Sequence, residues 1–188
     1  MQIINIKRII GLVVLQLSFI GLTFAFNPAV RPGDENRQPD LPSPLCDSLQ
    51  VEAGNRMFHH VYAIGVQIYR WNGTNWVFVA PEANLYADRN YRGKVGIHYG
   101  GPTWESNSGS FVRAARVPNT GCTPDATSIP WLLLKTVSSD GPGIFSRVTY
   151  IQRTNTTGGL SPATPGSTVG EEKRVPYTAE YYFYRADQ

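Results

Sequence analysis

From residue 61 to the C-terminus, apolar and polar side chains alternate in short runs rich in β-branched and aromatic residues. A period of two marks strands, whose successive side chains face opposite ways. The runs fall at 61–71, 76–80, 83–87, 95–99, 111–117, 131–137, 144–153 and 175–185. In the first, Tyr62, Ile64, Val66 and Ile68 share one face. In the last, Tyr177, Ala179, Tyr181 and Phe183 do so. Asn72-Gly73-Thr74-Asn75 reads as a hairpin turn, since Asn-Gly tolerates the positive φ that tight turns need, and Trp71 and Trp76 flank it as a cross-strand pair. No apolar spacing of three and four is sustained here, so the pattern predicts an all-β domain: one antiparallel sandwich or barrel of about eight strands. Residues 154–174, rich in Gly, Ser, Thr and Pro, read as a long mobile loop with an ordered entrance and a slack middle, a functional flap being the alternative.

Before residue 61 the pattern changes twice. Lys7 and Arg8 precede an uncharged, mostly apolar run over 9–26, and Thr23-Phe24-Ala25 offers small residues for cleavage after Ala25. This is the layout of a signal peptide over 1–25, with an uncleaved anchor as the alternative. Residues 26–45 hold Pro28, Pro32, Pro39, Pro42 and Pro44 and read as an extended arm, leaving 46–188 as the β domain. The expectation is a secreted, extracellular protein, with no membrane attachment once the signal is cleaved. The ending Tyr184-Arg185-Ala186-Asp187-Gln188 matches neither a lipid-anchor nor an ER-retention signal.

Composition narrows the function classes. Charged residues make up 16% of the chain, and the net charge is +3. Taking Lys7 and Arg8 away from 17 basic side chains leaves 15 against 14 acidic ones, a net charge of +1. With no Lys/Arg cluster either, a nucleic-acid partner is not expected. The two cysteines, Cys46 and Cys122, should pair in an oxidising compartment, two unrelated thiols being the other reading. Asn72-Gly73-Thr74 and Asn155-Thr156-Thr157 are glycosylation acceptors if the source is a eukaryote, and ordinary turn sequences otherwise.

Catalytic motifs are incomplete. Gly100-Gly101, Gly141-Pro142-Gly143 and Gly158-Gly159 all miss the dinucleotide-binding spacing, and neither a phosphate-binding loop nor a Gly-x-Ser-x-Gly elbow occurs. No cofactor is expected. His59 and His60 are adjacent, so a regular strand sends them to opposite faces, where they cannot hold one metal ion. A bend at Gly100-Gly101-Pro102 would bring His98 towards Glu105, a conceivable acid–base or metal-binding pair, against the plainer reading of two solvated strand ends. Asp125 and Asp140 lie in turns, where acids usually form the turn. The strongest local bias is aromatic, with four Trp and ten Tyr. Such side chains fill β cores and also stack on sugar rings. Trp104, in a Gly/Pro setting beside Glu105, is the candidate for an exposed one.

Several phrases occur together: Gly65-Val66-Gln67-Ile68-Tyr69, Trp76-Val77-Phe78, His98-Tyr99 with Gly101-Pro102-Thr103-Trp104-Glu105, Ile129-Pro130-Trp131-Leu132-Leu133-Leu134-Lys135, Val148-Thr149-Tyr150-Ile151-Gln152-Arg153, Asn155-Thr156-Thr157-Gly158-Gly159 and Val175-Pro176-Tyr177. Over about residues 60–185 the chain resembles a family of small secreted fungal and bacterial proteins of unknown function. Fungal members often carry an automatic malate dehydrogenase label. The missing dinucleotide fingerprint rejects an NAD-dependent malate dehydrogenase here. The family brings no established active site, but its phrases mark Trp104, Lys135, Arg153 and Asn155 as candidate binding residues. Three functional expectations follow. One is a non-catalytic extracellular module contacting polysaccharide or a cell-surface component. Another is a secreted hydrolase or metal-assisted enzyme using His98 and Glu105. The third is a structural component of a wall or matrix.

Overall fold

A computed structural model describes residues 38–187; the proposed signal peptide and most of the Pro-rich arm lie outside the described residues. Eight antiparallel strands follow one another in chain order and close into a barrel. They are β1 (Asn55–Trp71), β2 (Trp76–Tyr86), β3 (Lys94–Tyr99), β4 (Thr103–Ser106), β5 (Phe111–Arg116), β6 (Leu132–Asp140), β7 (Tyr150–Gly158) and β8 (Glu172–Ala186). The closure is the pairing of β1 with β8, which runs from Asn55 opposite Ala186 to Arg70 opposite Glu172. Closure removes the unpaired edges that an open sheet would expose.

The expected all-β fold is present, and its strand count of eight arises differently. Residues 76–80 and 83–87 belong to one strand, β2, which carries Pro81 opposite Gln67. The expected strand over 144–153 begins with a 3-10 turn, Ile144–Arg147, and becomes β7 only at Tyr150. The short β4 takes the place of the Gly/Pro loop expected around Trp104. Its residues pair with both neighbours, Trp104 lying opposite His98 on β3 and Val112 on β5.

Two apolar clusters occupy the two sides of the barrel wall. The inner one contains Val61, Ala63, Leu85, Trp104, Val112, Ile151, Tyr177, Tyr181 and Phe183. All four residues expected to share a face of β8 point into it. On β1 the apolar face Tyr62, Ile64, Val66, Ile68 is the outer one, and the inward positions are Val61, Ala63, Gly65, Gln67 and Tyr69. A barrel interior has a fixed width. With Trp104, Tyr181 and Phe183 filling it, the middle of β1 contributes only the small Ala63 and Gly65 there. Gly65 and Gly96 are extreme cases: a Cβ at Gly65 would lie 2.1 Å from the Glu82 carbonyl oxygen, and one at Gly96 would lie 2.2 Å from that of Glu105. At these points the strands coil too tightly for any side chain.

The second cluster lies outside the wall. Leu133, Tyr150, Tyr182 and Tyr184 turn outward from β6, β7 and β8, and Leu49 and Cys46 cover them. The Gln152 side-chain amide donates to the Leu49 carbonyl at 2.7 Å. Cys46 and Cys122 form the expected disulfide, with Cα atoms 5.2 Å apart, which ties this covering segment to the loop before β6.

The long loop after β7 is not slack. The Trp76 indole N–H donates to the Thr164 carbonyl at 2.8 Å, and Tyr69 donates to the Gly159 carbonyl at 2.6 Å. Gly166 lies so close to the Trp71 ring that a Cβ there would come within 2.5 Å of it. Residues 159–171 thus form a strap packed on the Trp71–Trp76 pair, whose rings are 5.5 Å apart across the hairpin.

Candidate functional site

The structure separates the residues that the sequence placed together. His98 pairs with Trp104 and points inward; Glu105 pairs with Ile97 and points outward, where the Tyr99 hydroxyl donates to it at 3.0 Å. Their side chains lie on opposite faces of the wall, because neighbouring positions on paired strands alternate. The His98–Glu105 pair is therefore not a site. His98 is 3% exposed and stacks on Trp104 at 4.2 Å. Its Nδ1 lies 2.8 Å from the Thr103 carbonyl, which can only accept, so Nδ1 carries the proton. Burial, with the Arg153 charge nearby, holds His98 down at about 3, so the ring stays neutral. Trp104 is 1% exposed, which removes it as a surface stacking platform.

The other candidates are scattered. Lys135 is exposed on β6, above the Tyr150 ring and 3.9 Å from Glu52; the Tyr150 hydroxyl and Glu52 raise its pKa, so it remains a charged amine. Arg153 faces the barrel interior beside Tyr181 and donates to the Pro130 carbonyl at 2.7 Å. Asp125 accepts from the Thr127 and Ser128 hydroxyls, and Asp140 from the Gly141 N–H, as turn formers do. Asn72 lies at the exposed β1–β2 hairpin, where its side-chain Oδ1 accepts from the Thr74 and Asn75 N–H groups. Among the described residues, no three His, Cys, Asp or Glu side chains could hold a metal ion together.

Asn155 is the candidate that leads to a site. It sits in a β-bulge of β7, between Thr154 and Thr157, at φ 47°. With Tyr62, Arg89, Tyr91, Thr178 and Glu180 it lines an outward depression of about 340 Å3. Tyr91 comes from the β2–β3 connection and has φ 56°. Asp88 builds that turn: its carboxylate accepts from the N–H groups of Asn90 and Arg92, at 2.9 and 3.1 Å, and from the Arg92 guanidinium at 2.9 Å. Those bonds, the Arg92 backbone bond foremost, keep Asp88 below the usual carboxylate range. Three residues other than glycine take positive φ in the described chain, and two of them, Tyr91 and Asn155, line this depression. Left-handed backbone is uncommon for an aromatic residue and costs about 1 kcal/mol or more, so the surrounding structure must impose it.

Glu180 forms one wall and is held from behind. His60 Nε2 lies 2.8 Å from its Oε2, and the Tyr182 hydroxyl donates to the same oxygen at 2.7 Å. The His60 ring stacks on Tyr182 at 4.0 Å and lies 4.5 Å from the Tyr62 ring. Partial burial alone would raise the Glu180 pKa. The hydrogen bonds of His60 and Tyr182 outweigh it and keep the group ionised. As expected for neighbours on a strand, His59 faces the other way, against Phe145 and Phe183 inside the barrel. The sequence offered no sign of the His60–Glu180–Tyr182 arrangement, which joins the beginning of β1 to β8.

A larger hollow of about 400 Å3 runs over the outer side of β1, β2 and β3, past Ile64, Val66, Ile97 and Tyr99. Its charged groups are spent on each other: Arg174 pairs with Glu82 at 2.8 Å. The smaller depression presents an ionised carboxylate, an amide, a guanidinium and an exposed phenol ring together, and so has the richer recognition chemistry.

Fold and site together define an up-and-down eight-stranded β-barrel with a polar and aromatic recess on its outer wall. Over residues 52–185 the chain matches the family described as protein of unknown function (DUF3455), and it belongs to that family. No curated protein and no solved structure matches it significantly.

Proposed function

We propose that this is a secreted, non-catalytic module that contacts glycans of an extracellular polymer or cell surface through the recess between Tyr91, Asn155 and Glu180. The observation that carries the reading is the pair of left-handed residues, Tyr91 and Asn155, on the rim of one recess. The Tyr91 ring, 36% exposed and held edge-on by Tyr86 at 5.8 Å, offers a flat apolar face to a sugar ring. Glu180 accepts from sugar hydroxyls, Arg89 donates to them, and the Asn155 amide does both. The bonds from His60 and Tyr182 fix the Glu180 carboxylate before a ligand arrives, which lowers the ordering cost of binding. The Cys46–Cys122 disulfide supports an oxidising compartment.

The test is retention of the protein, residues 26–188, on insoluble polysaccharides such as cellulose, chitin and β-glucan. Tyr91→Ala and Glu180→Gln are expected to reduce the retained fraction at least severalfold, with Trp76→Phe unchanged. Retention no greater than that of an unrelated secreted protein on every polymer, or retention indifferent to Tyr91, overturns the reading.

A further inference from the structure

Closure of the barrel stops short along one strand. β1 accompanies β2 over its whole length, from Trp76 to Tyr86. β3, the other neighbour of β2, pairs with it only over 83–86. The β3–β4 turn comes back to β2 at Ala80: a Cβ at Gly100 would lie 3.4 Å from that of Ala80. Residues 76–79 therefore have a strand on one side and an open edge on the other. Their side chains are bare as well, with Val77, Phe78 and Val79 48, 49 and 43% exposed. No charged residue occurs from Asn75 to Pro81. An uncharged, unpaired edge is a template for another strand, and proteins usually guard one with charges, Pro or a bulge. The guards here stand only at the far end. Pro81 has no N–H, and the register shift at Ile68/Tyr69 leaves Val79 without a partner.

The backbone decides which strand fits. Trp71 spends both its backbone groups on the strap, donating to the Glu171 carbonyl at 2.8 Å and accepting from the Gly170 N–H at 2.9 Å. Trp76 lies opposite Trp71, and Phe78 opposite Tyr69. In an antiparallel ladder these are then the pairs without mutual hydrogen bonds, so the N–H and C=O groups of Trp76 and Phe78 point away from β1, into the open edge. Among the described residues, no turn or loop group bonds to them. The free groups thus stand at 76 and 78, symmetric about Val77. A second strand with the same spacing, antiparallel about Val77, satisfies every one of them on both strands. This edge is complementary to itself.

We propose that the open edge of β2 is a pairing surface for a second copy of this chain, with Trp76 of each opposite Phe78 of the other and the two Val77 side chains meeting on a two-fold axis. Aromatic and β-branched residues directly opposite one another are favourable cross-strand pairs, and no like charges meet. The same edge is used on both copies, so the pair is closed and leaves none for a third. The β3–β4 turn at Ala80 and the missing N–H of Pro81 keep the contact short, which makes a weak dimer of the transient class.

The experiment is sedimentation equilibrium of the disulfide-bonded protein, residues 26–188, from about 10 µM to about 1 mM, the range in which a small interface forms. A monomer that passes to a dimer and no further is expected. Val77→Lys or Val77→Glu alone should weaken dimerisation at least about tenfold, because the axis sets like charges against each other. An equal mixture of the two variants should restore it, and Val137→Lys, at an exposed position of β6, should leave it unchanged. In the unaltered 15N-labelled protein, the Trp76 and Phe78 amide protons should shift with concentration. A monomer throughout overturns the inference, as does growth beyond the dimer. A dimer indifferent to charge at Val77, or one that the mixture fails to restore, uses another surface and overturns it too. The amide shifts need no substitution, so their absence overturns the pairing even where a charged variant does not fold. Failure here leaves the outer recess untouched, since Tyr91, Asn155 and Glu180 take no part in the edge.

Discussion

Acid should weaken this fold well before its carboxylates titrate. Burial holds His98 down at about 3; burial first, and then the neighbouring His60, hold His59 down at about 4. In the unfolded chain both return to about 6.5. Below that value the unfolded state binds protons that the folded state refuses, so stability falls as pH falls from 6.5 towards each folded value. At about 1.4 kcal/mol per pKa unit, moving from pH 7 to pH 5 costs about 2 kcal/mol at His98. His59 is partly exposed, and allowing for screening by solvent leaves it about 1 kcal/mol. The lowered carboxylates Asp88, Asp125, Glu171 and Glu180 do not contribute in this window. Their stabilisation is complete above the unfolded carboxylate value and is lost only as pH falls through their folded values. Urea unfolding at pH 7 and pH 5 should therefore differ by about 3 kcal/mol. His98→Phe keeps a ring against Trp104 and removes the titration; it should reduce that difference to about 1 kcal/mol, whatever it costs at pH 7. A wild-type stability equal at both pH values, or a difference that His98→Phe leaves intact, refutes the assignment of the neutral buried ring.

Two further perturbations test the wall and the strap. Gly65→Ala puts a Cβ 2.1 Å from a backbone oxygen and 2.5 Å from the Ala83 Cα, so a loss of about 3 kcal/mol is expected in denaturant unfolding. Gly109→Ala, with φ 85° but open space around it, should cost about 1 kcal/mol. Replacing residues 161–170 by a short link should cost more than about 2 kcal/mol, because it uncovers Trp71 and removes the bond to Trp76; a loss near zero would mean the strap contributes nothing.

The sequence showed strands readily and their faces less well. Period-two alternation located most strands because each buries one face, and the β8 set Tyr177, Ala179, Tyr181, Phe183 is that face. On β1 the more apolar face lies outside. Hydrophobicity there follows an exterior partly covered by neighbours, while the interior face is set by volume, with Ala63 in one cluster with Trp104 and Phe183 and no room for a Cβ at Gly65. Pro81 read as a break, yet β2 passes through it beside a register shift at Ile68/Tyr69, where ladder pairing is already irregular. The four residues of β4 were too few to show a period. The strap read as slack because its side chains are small, yet small size is what lets Gly166 approach the Trp71 ring.

The candidate site was mostly hidden for a related reason. His98 and Glu105 are near in sequence across a hairpin, and such nearness says nothing about which side of the wall a side chain takes; that depends on register. His60 and Glu180 meet because β1 and β8 are the first and last strands of a closed barrel. No local pattern encodes closure, which here places Tyr62 opposite Glu180 and His60 opposite Tyr182. Asn155 belongs to a sequence phrase, Asn155-Thr156-Thr157-Gly158-Gly159, in which Asn155, Gly158 and Gly159 take positive φ. Tyr91 carried a fainter sign: Asp88-Arg89-Asn90-Tyr91-Arg92-Gly93 is a turn composition, and an aromatic residue within such a turn is displayed outward. If Tyr91 is held in its strained conformation for a ligand, Tyr91→Gly should stabilise the fold slightly while abolishing retention on polysaccharide, because glycine relieves the positive φ and removes the ring. If the conformation serves only the turn, the same change should leave retention as it was. The sign of the stability change and the loss of binding are read on one variant, so strain kept for function and strain that merely accompanies the turn give opposite results.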